Sequence, residues 1–162
     1  MTVCPRCYAH VGVSGACAQC GFDVPIEWLT STQLGIAITG ARTAGKSVLI
    51  GVMMDQFEYF LGQQHQSFLT PLGDTKERFD HKYREPLNEQ RNLLKPTPPA
   101  EQEELEPLLW SFENGGQRVC LSIMDAAGED FESLAPTDSR FRYLVFADLI
   151  VALVDPLSDE IW

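Results

Sequence analysis

Two groups of residues in this chain of 162 have the types and spacing that chemistry requires. The first is Gly40-Ala41-Arg42-Thr43-Ala44-Gly45-Lys46-Ser47, which fits G-x-x-x-x-G-K-[ST] at every fixed position. The two glycines let backbone N–H groups turn inward around a polyphosphate, and the helix that follows points its positive end at the same anion. Lys46 supplies a point charge and Ser47 a hydroxyl ligand for Mg²⁺. A chance glycine-rich turn is the alternative, but the flanking residues favour the phosphate-binding loop.

The second group is Cys4-Pro5-Arg6-Cys7 and Cys17-Ala18-Gln19-Cys20-Gly21. Two C-x-x-C pairs this far apart predict a four-thiolate structural Zn²⁺ site, with Cys4, Cys7, Cys17 and Cys20 as ligands. A redox dithiol or two disulfides are the competing readings. The first comes as a single pair near a βαβ unit, and the second needs an oxidising compartment. His10 is expected on the surface of the ribbon, and Cys120, inside an apolar run, as a buried structural thiol.

These residues need elements to hold them. Residues 34–39 are a short β-branched run and predict a buried parallel strand before the loop; residues from 48 to about 61 predict a helix after it. Residues 63–99 are expected as an insert carrying one or two amphipathic helices, with apolar positions at Phe68, Leu69, Leu72, Phe79, Tyr83 and Leu87, and ending in Lys95-Pro96-Thr97-Pro98-Pro99. Asn114-Gly115-Gly116 predicts a hairpin turn between strands over 105–113 and 117–125. The second strand ends in Asp125-Ala126-Ala127-Gly128-Glu129, which places a carboxylate and a glycine N–H where a Mg²⁺ shell and a γ-phosphate would be. A helix is expected over 130–143 and a further buried strand over 149–154.

The expected organisation is a four-cysteine zinc ribbon over 1–24, a connector over 25–33 with Trp28 and Leu29 packed across the junction, and one α/β domain over 34–162. The formal charge is −11, and residues 100–162 hold fourteen acidic but three basic side chains. That imbalance argues against generic binding to a nucleic-acid backbone. No stretch has the 18 apolar residues that crossing a bilayer takes, and the first residues lack a signal-peptide core, so a cytoplasmic location is expected.

The order of strand, G-x-x-x-x-G-K-S, threonine-bearing loop, hairpin, D-x-x-G, helix and a strand ending in Asp155-Pro156 resembles the P-loop GTPases of the translation-factor and small-GTPase class. With the zinc ribbon and the long insert, it is most similar to the bacterial double-GTPase domains. The resemblance implies a mixed, mostly parallel sheet with flanking helices, truncated at its C-terminal side because no Asn-Lys-x-Asp base-reading motif follows Pro156. It implies GTP and Mg²⁺ at Gly40, Ala41, Arg42, Thr43, Ala44, Gly45, Lys46, Ser47, Asp125 and Gly128. Thr97 becomes the switch threonine, with Thr70 and Thr75 as substitutes, and Glu129 stands where glutamine would orient the attacking water. Lys46, Thr97 and Glu129 are the implied catalytic set, in a GTP-hydrolysing switch that meets protein partners through its ribbon or switch loops. The alternatives are a non-catalytic zinc-ribbon and P-loop scaffold, or an ATPase using the same phosphate site.

Overall fold

A computed structural model describes residues 2–12, 15–41, 44–89, 106–125 and 142–154. In chain order the elements are α1 (Ile26–Thr30), β1 (Thr32–Gly40), α2 (Lys46–Phe60), β2 (Thr70–Pro71), α3 (Thr75–Phe79), β3 (Leu108–Asn114), β4 (Gln117–Asp125), α4 (Arg142–Phe146) and β5 (Leu149–Leu153). The helix α2 runs on as a wider π-helical turn at Leu61–His65, and α3 as a π-helical segment at Asp80–Glu89.

The strands form one sheet in the order β2-β3-β4-β1-β5. β1 pairs in parallel with both β4 and β5, whereas β3 pairs antiparallel with both β2 and β4. The sheet is therefore evenly mixed rather than mostly parallel, because the insert returns as β2 to pair with the hairpin. That hairpin turns at Gly115 and Gly116, both at positive φ (58° and 79°), the backbone of a type I′ turn.

Alternation along the strands sends side chains to two faces, and both faces are covered. On one lie Ile38 of β1, Leu121 and Ile123 of β4, and Leu108 and Trp110 of β3, packed with Ile50 and Met54 of α2 and with Phe79 and Tyr83 from the insert. Lys46, Ile50 and Met54 recur every four residues, so α2 buries a single stripe.

The opposite face is built differently. Leu109 and Cys120 pack against Cys4, Cys17, Val24 and Trp28, and Ala37 and Met124 pack against Tyr8 and Tyr143. The cysteine-bearing N-terminal segment thus lies on the sheet as its second layer, with the Trp28 indole N–H donating to the Val3 carbonyl at 2.8 Å. A single face of β4 could not hold all of Cys120, Leu121, Ile123 and Met124, and two-sided burial accounts for the continuous apolar run.

Two expectations for the strands change. β5 lies beside β1 with Leu149 and Ile150 about half exposed, so this run is less buried than its apolar composition predicts. Thr75 is not poised over a phosphate: it is buried at the start of α3, and its Oγ1 accepts the Leu109 N–H at 2.9 Å. Thr70 pairs with Ser111 in the ladder between β2 and β3.

Candidate functional site

The four cysteines form two knuckles of the same construction. In each, the N–H of the fourth residue after the first cysteine returns to that cysteine's carbonyl: Tyr8 to Cys4 at 3.0 Å and Gly21 to Cys17 at 2.8 Å. In each, the first cysteine's own N–H reaches the carbonyl five residues on, Ala9 or Phe22. This closure requires positive φ at the turning residue. Gly21 adopts 71° freely, but Tyr8 adopts 59° although it is not glycine. Its ring explains why the strain is tolerated, being buried and stacked on Phe146 with centroids 5.6 Å apart.

The knuckles bring all four sulfurs within 4.8 Å of one another. Cys4 Sγ lies 3.7 Å from Cys20 Sγ, and Cys7 Sγ lies 3.5 Å from Cys17 Sγ. A tetrahedral ion with metal–sulfur bonds of about 2.3 Å sets its sulfurs about 3.8 Å apart, so the observed spacing fits a four-thiolate ion. Cys4 and Cys17 are buried against the sheet, while Cys7 and Cys20 are partly exposed. Burial pushes the Cys4 thiol up. At Cys17 burial acts in the same sense, but the N–H groups of Cys20 and Gln19 and the thiols of Cys7 and Cys20 outweigh it and bring the group down to about 7. His10 is exposed, and Cys120 is a buried thiol pushed up by burial.

The second candidate cluster lies where β1 and β4 end and α2 begins. Gly40, at φ 146°, meets β5 so closely that a Cβ there would sit 2.4 Å from the Leu153 carbonyl oxygen. Gly45, at φ 86°, opens α2. The buried Lys46 Nζ donates to the carbonyls of Gly40 and Ala41, each at 2.9 Å, tying the strand end to the helix start. Ser47 Oγ reaches Asp125 Oδ2 at 3.1 Å. That carboxylate, its side chain 4% exposed, also accepts the Tyr83 hydroxyl at 2.7 Å and faces the Lys82 ammonium at 3.0 Å. Burial, then the Asp125 charge, holds the Tyr83 phenol well above its ordinary value, so it remains a donor.

Lys46, Ser47 and Asp125 are therefore brought together, with Lys82 and Tyr83 of the insert joining them. Nothing in sequence spacing identifies these two: they lie 42 to 43 residues from Asp125, within a polar segment. Arg42, Thr43, Thr97, Gly128 and Glu129 lie outside the described residues. Among the described helices, none is long and apolar enough to cross a membrane.

No family profile matches the chain. No solved structure matches it either. Over 145 residues, 87% of this chain, it is 34% identical to a protein of Mycolicibacterium smegmatis named as an ESX-1 scaffolding and assembly protein, SaeC; the chain spans 38% of that relative's length. These findings correct the GTPase reading. The relative is named for scaffolding and assembly, so neither the assignment to the P-loop GTPases nor a GTP-hydrolysing switch is supported. The physical reason is that a loop motif specifies a backbone path, whereas a function lives in the whole site. Here Asp125, the expected Mg²⁺ partner, is engaged by Lys82, Tyr83 and Ser47 of its own chain.

Proposed function

We propose that the chain is a metal-stapled scaffold module that presents a rigid α/β surface to protein partners during ESX-1 assembly. The observation that carries this reading is the 34% identity, over 87% of the chain, to an ESX-1 scaffolding and assembly protein. The structure supports it with a four-sulfur cluster of the dimensions Zn²⁺ needs, built into the layer that covers one sheet face. Zn²⁺ is the proposed ion, because four thiolates in tetrahedral array with no free position make a structural site. Gly40, Ala41, Lys46, Ser47 and Asp125 act in this reading as a structural joint: Lys46 fastens strand to helix, and Asp125 fastens both to the insert.

The test is replacement of the matching segment of SaeC by this chain in its host. The chimera is expected to support ESX-1 assembly. A chimera that is folded and present at normal abundance but leaves assembly undone overturns the scaffold reading.

A further inference from the structure

The insert segment Asp80–Glu89 is attached in an unusual way for part of a core. Its ten residues, DHKYREPLNE, are mostly polar, and it holds to the rest of the chain by ion pairs together with one aromatic side chain set in the core. Arg84 donates to Asp55 of α2 at 2.9 and 3.1 Å and to Glu58 of α2 at 2.9 Å. Lys82 pairs with Asp125 of β4. Tyr83 is the one deeply buried aromatic anchor, hydrogen-bonded to Asp125 and stacked on Phe79 at 5.3 Å. The receiving surface is shaped for it: at Gly51 of α2 a Cβ would lie 2.7 Å from Leu87 Cδ1 and 3.4 Å from Tyr83 Cβ, so the missing side chain makes the groove. The segment's own backbone departs from the regular α-helix: its hydrogen bonding is π-helical, and Pro86 offers no N–H.

We infer that Asp80–Glu89 is a releasable strap seated in a recognition groove of α2 and β4, and that the groove takes a basic, tyrosine-bearing segment of a partner protein once the strap has left. The occupant is set by complementarity seen in place. Asp55 and Glu58 of α2 and Asp125 of β4 supply negative charge, Gly51 supplies depth beside Ile50 and Met54, and the strap answers with Lys82, Tyr83, Arg84 and Leu87. A partner segment with that order of cation, aromatic, cation and aliphatic residue meets the same groups. The strap is then an autoinhibitory contact. This inference names a partner class for the scaffold reading and rests on it, but strap release is measured without reference to assembly.

Hydrogen exchange on the full chain provides the test. Amides of residues 80–89 should exchange at least about tenfold faster than those of β4, through local opening, and Lys82→Ala with Arg84→Ala should speed them about tenfold more while β1 and β4 keep their protection. A synthetic peptide of residues 80–89 added to that variant should restore protection to α2, and the same peptide with its tyrosine replaced by alanine should not. If the double variant fails to fold, the wild-type chain in 1 M NaCl serves instead, because screening weakens the same ion pairs. The inference is overturned if residues 80–89 exchange only with the whole chain, or if the peptide leaves α2 unprotected. Peptide capture by a chain that does not support ESX-1 assembly would sink the scaffold reading alone.

Discussion

Cys17→Ser tests how far the four-cysteine centre, with the Zn²⁺ proposed for it, holds the whole molecule together. The Cys17 sulfur is buried in the layer where Trp28, Val24 and Cys4 press on Leu72, Leu109 and Cys120. Complete loss of that layer would expose Trp28, Val24, Leu72 and Leu109, each worth about 1.5–3 kcal/mol of burial, for an upper figure of roughly 6–12 kcal/mol. A layer that loosens without leaving forfeits about a third to a half of this, some 2–6 kcal/mol, against a typical total stability of about 5–15 kcal/mol. For a chain of this size that is a fall in Tm of about 4–24 °C. The assay is thermal unfolding by circular dichroism and tryptophan fluorescence, with zinc content measured on the same samples. Wild-type chain treated with a chelator should reproduce the variant. A zinc-free chain that melts within about 3 °C of the untreated one would refute the reasoning, because the layer would then be held by apolar packing alone.

Three further outcomes follow from single positions. Gly40→Ala puts a Cβ 2.4 Å from the Leu153 carbonyl oxygen at a φ of 146°, so it should cost about 2–4 kcal/mol in denaturant titration and expose β5 to protease. At Tyr8, φ 59° inverts the usual order of substitutions: Tyr8→Gly should be about 1 kcal/mol more stable than Tyr8→Ala, and both less stable than wild type for want of the ring on Phe146. Burial raises the folded-state values of Tyr8 and Tyr83 above the ordinary 10, so the stability tied to their neutral forms is complete below pH 10 and falls as pH climbs from 10 toward the folded values. Absorbance titration should therefore find the Tyr8 phenol ionising together with unfolding and the Tyr83 phenol ionising with release of residues 80–89; ionisation of the Tyr8 phenol in a chain that is still folded at pH 10 would contradict the packing described.

What could be read from the sequence depended on how local its cause was. The C-x-x-C knuckles, the glycine pair of the hairpin and the strand-to-helix loop are each set by a few neighbouring residues, and the two knuckles and the hairpin form as expected. The approach of Lys82 and Tyr83 to Asp125 crosses more than forty residues and involves no periodic pattern, so only the folded chain displays it. A clue to the second layer was available: Val119 to Met124 is apolar on both alternating faces, which one covering layer cannot satisfy. The function was the least legible part. The motif order that includes Gly40 to Ser47 resembles a GTPase, whereas the relative is named for scaffolding and assembly.

The central claim is that this chain works as a metal-stapled scaffold, and two substitutions in the SaeC chimera test it most directly. Lys46→Met keeps the buried stem but removes the charge, whereas Cys17→Ser removes a ligand of the cysteine centre. ESX-1 assembly should persist with Lys46→Met, given that the variant chain remains folded, and fail with Cys17→Ser. Assembly that is lost with a folded Lys46→Met chain and retained with Cys17→Ser would contradict the account.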